Sequence, residues 1–78
     1  MNRKEAERVG ETLTFVRQAR QVTQFELARA LNISQPYLAN IEAGRRQLTP
    51  KLARKACEVL AIRPIVLVNR DFFAEEVG

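Results

Sequence analysis

Apolar positions along this chain recur every three or four residues, broken by short polar turns. Val9, Leu13 and Val16 fall at i, i+4 and i+7, which marks one buried stripe of a helix. That segment runs from about Arg3 or Glu7 to Arg20. A second pattern opens at Thr23, where TQFE has the form of a capping box. The Thr23 hydroxyl can accept from the Glu26 backbone N–H while the Glu26 side chain reaches back. Leu27, Ala28 and Leu31 form its inner face, and it ends near Asn32, a residue that tolerates the left-handed conformation. A third pattern opens at Ser34, an N-cap type. It carries Pro36 in its first turn, points Leu38 and Ile41 inward and stops at Gly44. A fourth has Thr49 as cap and Pro50 at the first helical position. Its stripe is Leu52, Ala53, Ala56, Cys57 and Leu60. Punctuation falls at Gly10, Asn32, Gly44, Pro50 and Pro64, with no internal repeat, low-complexity tract or linker.

The end of the chain, IRPIVLVNRDFFAEEVG, is less regular. Pro64 can start a short fifth helix to about Asn69. IVLV is rich in β-branched residues and suits a strand, and NRD before FFAEEV suits a hairpin return. The expected architecture is therefore all-α, a compact five-helix domain over residues 1–78 with its core at about 9–68. The C-terminal segment stays open between a short helix, a short strand and a dimerisation extension, with 69–78 as a tail.

With 78 residues there is room for one domain and a modest core, worth about 3–5 kcal/mol of net stability. Apolar residues make up 46% of the chain, enough for a globular fold. No stretch approaches a membrane span. Met1 to Glu11 is polar and charged, unlike a signal peptide, so cytoplasmic residence is expected. The lone cysteine, Cys57, allows no internal disulfide and reads as a small core residue. There is no histidine, which excludes a Cys/His zinc site and histidine-based acid–base catalysis within one chain. Glu5, Glu7 and Glu11 place carboxylates at helical spacing, but on a solvated face. No catalytic residue, metal or cofactor is expected.

Charge adds a direction. The formal net charge is +4, from thirteen Lys and Arg against nine Asp and Glu. Residues 1–33 hold six basic and four acidic residues, residues 34–63 six and two, and the last fifteen one and three. The excess is densest in RRQLTPKLARK, residues 45–55, with five cations and no anion. An anionic partner fits that distribution.

The second and third patterns are two short helices joined by a turn of about three residues, Asn32 to Ser34. That is the organisation of a helix-turn-helix, over about residues 23–44. Ala28 sits where the two helices cross, and Leu27, Leu31, Ile33, Leu38 and Ile41 fill the buried slots. An ordinary helical pair explains this spacing equally well. It does not explain the outer face of the third helix: Gln35, Tyr37 and Asn40, then Arg45 and Arg46. Gln and Asn can bond adenine bidentately, and Arg suits guanine or phosphate.

GETLTFVRQARQVTQFELARALNISQPYLANIEAGRR resembles the Cro/cI-type (XRE-like) helix-turn-helix family of phage and bacterial regulators. The likeness covers about Gly10 to Leu67. The Gln24–Gln35 spacing, the LA of the second helix and the IE.G ending the third are its specific parts. It implies a lambda-repressor-like fold and a sequence-specific double-stranded DNA-binding transcriptional regulator, a repressor or autoregulator, acting as a homodimer on a near-palindromic operator.

Residue by residue, the resemblance implies base contacts from Gln35, Pro36, Tyr37 and Asn40. Phosphate contacts would come from Gln24, which also supports Gln35, and from Arg45 and Arg46; Lys51, in the basic run, joins them. Arg17 and Glu42 match the family's inner ion pair. Ile65, Val66, Phe72 and Phe73 are the expected dimer interface, since clustered apolar residues there suit a second copy. The chain departs from the family where Gln21 replaces a frequent glycine. Pro36 can only pack, and Phe15 and Phe25 replace usual polar residues. Ile65 and Val66 stand where an acidic pair is common. Phe15, Phe25 and the apolar tail keep a second reading open: an antitoxin or regulator whose main role is holding a protein partner.

Overall fold

The computed structural model of the chain describes residues 2–68. Four helices follow one another: α1 (Arg3–Ala19), α2 (Gln24–Leu31), α3 (Gln35–Glu42) and α4 (Pro50–Leu60). A closing helical turn, Pro64–Leu67, comes last.

One local code starts and stops all four helices. Each opens on a side-chain cap: Asn2 accepts from the Glu5 N–H, Thr23 from Glu26, Ser34 from Tyr37 and Thr49 from Leu52. These bonds satisfy donors that a helix N-terminus leaves without intrahelical partners. At Thr23 the expected capping box is complete, with the Thr23 N–H donating 2.9 Å to the Glu26 carboxylate. Each helix closes through a left-handed residue: Gln21, Asn32, Gly44 and Ala61, with φ of 58°, 58°, 81° and 57°. The N–H groups of that residue and the next fold back onto the last helical turn, as Ile33 does to the Ala28 carbonyl and Ile62 to that of Cys57. Val22, Ile33 and Ile62 follow three of these turns and pack on the core.

The core is one cluster fed by every element. Val9 and Leu13 of α1 meet Leu27, Ala28 and Leu31 of α2, Leu38 and Ile41 of α3, and Ala53, Ala56, Cys57 and Leu60 of α4. Leu48, in the loop before α4, and Leu67 and Val68 at the end complete it. Cys57 is buried as expected, and burial pushes its thiol pKa up, which keeps it an inert packing residue.

Three expectations are corrected. Gly10 does not punctuate the chain; it lies inside α1. A Cβ there would fall 2.5 Å from the backbone oxygens of Ile41 and Glu42, so its absence lets α1 cross the end of α3. A fifth full helix does not form: Pro64 fixes φ for a first turn, and the element spans four residues with no side-chain cap. The strand at IVLV does not form, and the described residues contain no strand. A strand needs an edge to pair with, and the helices of the described residues offer none. Asn69, the hairpin return and the tail 69–78 lie outside the described residues.

Candidate nucleic-acid interface

The interface grows outward from a buried ion pair. Arg17 on α1 and Glu42 at the end of α3 face each other with side chains 10% and 7% exposed. The Arg17 Nε donates 2.8 Å to Glu42 Oε2 and its Nη2 donates 3.1 Å to Oε1. Its Nη1 donates 3.0 Å to the Val22 carbonyl. The guanidinium is thus engaged on all three nitrogens, the condition under which a buried pair is tolerated. Mechanically, the pair clamps α1, the α1–α2 turn and α3 together. Electrostatically, it neutralises the Glu42 carboxylate at the base of this surface.

Two glutamines continue the network to the exterior. Gln24, the first residue of α2, donates 3.0 Å from Nε2 to Glu42 Oε1. Gln35, the first residue of α3, donates 3.4 Å from Nε2 to Gln24 Oε1. The caps Thr23 and Ser34 put both side chains at helix N-termini, and the left-handed Asn32 turns α3 across α2 so that they meet.

Along α3 the exposed residues form one edge. Gln35 and Pro36 are exposed, and Tyr37 and Asn40 are half-buried. Beyond Gly44 the chain hooks back: the Arg45 and Arg46 N–H groups donate 2.9 and 3.2 Å to the Asn40 carbonyl. Arg45 Nη1 also donates 3.5 Å to Asn40 Oδ1, and the Arg46 guanidinium stacks 5.0 Å from the centre of the Tyr37 ring. Both arginines are therefore held against the same helix edge as the amides. Gly44 is needed for this hook, because a Cβ there would meet Glu7 at 2.5 Å. Lys51 is exposed in the first turn of α4. The result is a narrow strip of amide, phenol and guanidinium groups, with the Glu42 carboxylate beneath it sequestered by Arg17. Such a strip can bond base edges and phosphates.

The helix-turn-helix family model matches residues 15–67 of this chain. The chain belongs to the Cro/cI-type (XRE-like) helix-turn-helix family. This XRE-type domain shares its fold with solved regulators. It is similar to the restriction-modification controller protein C.AhdI from Aeromonas hydrophila, at 25% identity over 83% of this chain and 98% of that one, with a TM-score of 0.78. It is also similar to the clp gene regulator ClgR from Corynebacterium glutamicum. One ClgR structure is 33% identical over 81% of this chain and 82% of that one, with a TM-score of 0.75. A second is 30% identical over 95% and 73%, with a TM-score of 0.76. No curated protein matches the chain. The family is one of DNA-binding transcriptional regulators, and the neighbours are by name a restriction-modification controller and a clp gene regulator. No helix among the described residues is long and apolar enough to cross a membrane.

Gln21, where the family often has glycine, occupies a left-handed position. Phe15 and Phe25 are not core residues: they are 72% and 54% exposed, and the Arg29 guanidinium lies 5.8 Å from the Phe25 ring centre. Val66 is 45% exposed on the closing turn. Phe72 and Phe73 lie outside the described residues. Two partners escape a reading of the sequence. The Val22 carbonyl that anchors Arg17 is a backbone group any residue could supply, and the Gln24–Glu42 bond joins residues 18 apart with no local signal.

Proposed function

We propose that this chain is a sequence-specific regulator of transcription that reads double-stranded DNA through α3 as a homodimer. The observation that carries this reading is the joined edge of Gln35, Tyr37, Asn40, Arg45 and Arg46, braced from beneath by Gln24. α3 lies in the major groove with Gln35 and Asn40 on base edges, and with Pro36 and Tyr37 packed beside them, Pro36 against a thymine methyl. Gln24, Arg45, Arg46 and Lys51 hold phosphates on either side, and their cations give the affinity its salt dependence. Two copies, joined through Ile65, Val66, Phe72 and Phe73, address half-sites ~34 Å apart on a near-palindromic operator. The similarity to a restriction-modification controller and a clp gene regulator supports a role in gene control, and a repressor or autoregulator in the bacterial or phage cytoplasm, at the nucleoid, fits best.

A footprint on DNA upstream of the chain's own gene tests this reading. A protected near-palindrome is expected; a chain that protects no duplex there, and selects none from a random pool, overturns it. The exposed Phe15 and Phe25 favour a second reading, a regulator or antitoxin that also holds a protein partner. It predicts that Phe15→Ser and Phe25→Ser leave DNA binding intact and abolish co-purification with a neighbouring gene product.

A further inference from the structure

Between the C-terminal end of α2 and α4 runs an open groove of about 570 Å³, lined by no residue of α3. Its floor is apolar: Leu31 is buried there, and Ile33 and Leu52 pack half-buried against the core. Its rim is cationic. Lys51, Arg54 and Lys55 line it, all three exposed, against one carboxylate, Glu58. Residues three and four apart share one helix face, so these charges act together. A solvated charge face needs no apolar floor. A segment that carries large apolar side chains between carboxylates fits both parts of the groove.

Such a segment belongs to this chain. NRDFFAEEVG, residues 69–78, sets Phe72 and Phe73 between Asp71 and the pair Glu75–Glu76, with Arg70 as its one cation. From this complementarity we infer that the tail of each copy docks in the α2–α4 groove of a second copy, with Phe72 and Phe73 on the floor and Glu75 and Glu76 against Lys51 and Lys55; the inference rests on the homodimer proposed above. Eight residues, Asn69 to Glu76, span at most about 27 Å. The described residues measure 32 × 23 × 21 Å, so a tail has the length to reach a groove on its own copy or on a neighbour. Area favours the neighbour. A stable interface takes about 20–30 residues a side, and the closing turn offers four. Under a twofold axis, exchanging two tails fills two grooves and enlarges the same interface. Buried aromatic anchors supply the affinity, and the charges around them fix the register.

A reciprocal charge exchange tests this by sedimentation of the full chain. No DNA is present, so the phosphate contact proposed for Lys51 plays no part. One variant carries Glu75→Lys and Glu76→Lys, the other Lys51→Glu and Lys55→Glu. Lys51 and Lys55 are exposed, so their replacement leaves the fold in place. Each variant alone sets like charges against one another in its dimer, and its dimer dissociation constant rises by about tenfold or more. Mixed in equal amounts, the two regain a dimer of near-parent affinity, because each tail then meets a groove of opposite sign on the other variant. A tail docked on its own copy gives no such rescue, since both mispaired contacts stay within one chain. Variants that dimerise like the parent, or a mixture that stays monomeric, overturn the inference while leaving the proposed homodimer standing. A parent that is monomeric throughout overturns that homodimer and this inference together, and the footprint above decides the DNA-reading function separately.

Discussion

Gln35, Asn40 and Arg46 occupy one edge of α3 but are expected to do different work. Gln35→Ala and Asn40→Ala each remove base-edge bonds, so each is expected to lose about 1–3 kcal/mol on operator DNA and to relax specificity at one position. Titration of operator and scrambled duplexes measures both; equal operator binding by parent and variants would place the reading surface elsewhere. Arg46→Ala should instead weaken binding to every sequence and reduce the slope of log K against log salt by about one. The stacking of Arg46 on Tyr37 pre-orders that cation. Arg17 and Glu42 act one level deeper. Removing either leaves a buried charge unpaired, at a cost of about 3–5 kcal/mol, comparable with the whole stability expected of a chain this size.

At the scale of elements, helix ends and crossings carry the testable energies. Gln21 and Ala61 hold left-handed backbone with a Cβ, a conformation that costs L residues about 1–2 kcal/mol. Gln21→Gly and Ala61→Gly are therefore expected to stabilise the chain by about 1 kcal/mol each, less the extra freedom glycine gives the unfolded chain. Urea unfolding should show higher midpoints. Gly10→Ala should do the opposite. Alanine's helix propensity returns about 1 kcal/mol, but overpacking against the Ile41 and Glu42 backbone costs about 1–3 kcal/mol, and carbonyls cannot rotate aside as a side chain can. The α2 capping box has its own pH signature. The Thr23 backbone N–H, then its hydroxyl, holds the Glu26 carboxyl below its ordinary value of 4.5. A lowered folded pKa means the contribution is complete above 4.5 and is lost as pH falls through the folded value. Glu26→Gln keeps the box without titrating, so a stability profile between pH 6 and 3 should fall less steeply for that variant.

The described residues span 32 × 23 × 21 Å. One copy is about as long as one turn of DNA, so two copies side by side can set their α3 helices in successive major grooves ~34 Å apart. The closing turn is where a second copy fits the proposed function, because it exposes Val66 while burying Leu67 and Val68. Val66→Asp should leave the fold intact, since the side chain is half in water, and convert the dimer to monomer by sedimentation. A dimer that survives this change puts the interface on another face.

The sequence by itself determined the four helices, the hydroxyl caps of the last three, the stops at Asn32 and Gly44, and the family, because caps and apolar spacing act within a few residues. It also singled out Gln24 and Gln35 by their spacing, while Arg17 and Glu42 came from the resemblance to the family. It misjudged Gly10, whose role depends on a backbone 31 residues away, and it passed over Leu48, which joins the core from a loop without periodicity. The fate of IVLV was decided by tertiary structure alone. Its β-branched residues favour a strand locally, but the described residues offer no edge to pair with, and the segment takes a helical turn that buries Leu67 against the other helices. The link from Gln24 to Glu42 was likewise invisible before folding. Two side chains 18 positions apart become hydrogen-bond partners only after Asn32 has turned α3 across α2 and Arg17 has pinned the carboxylate between them.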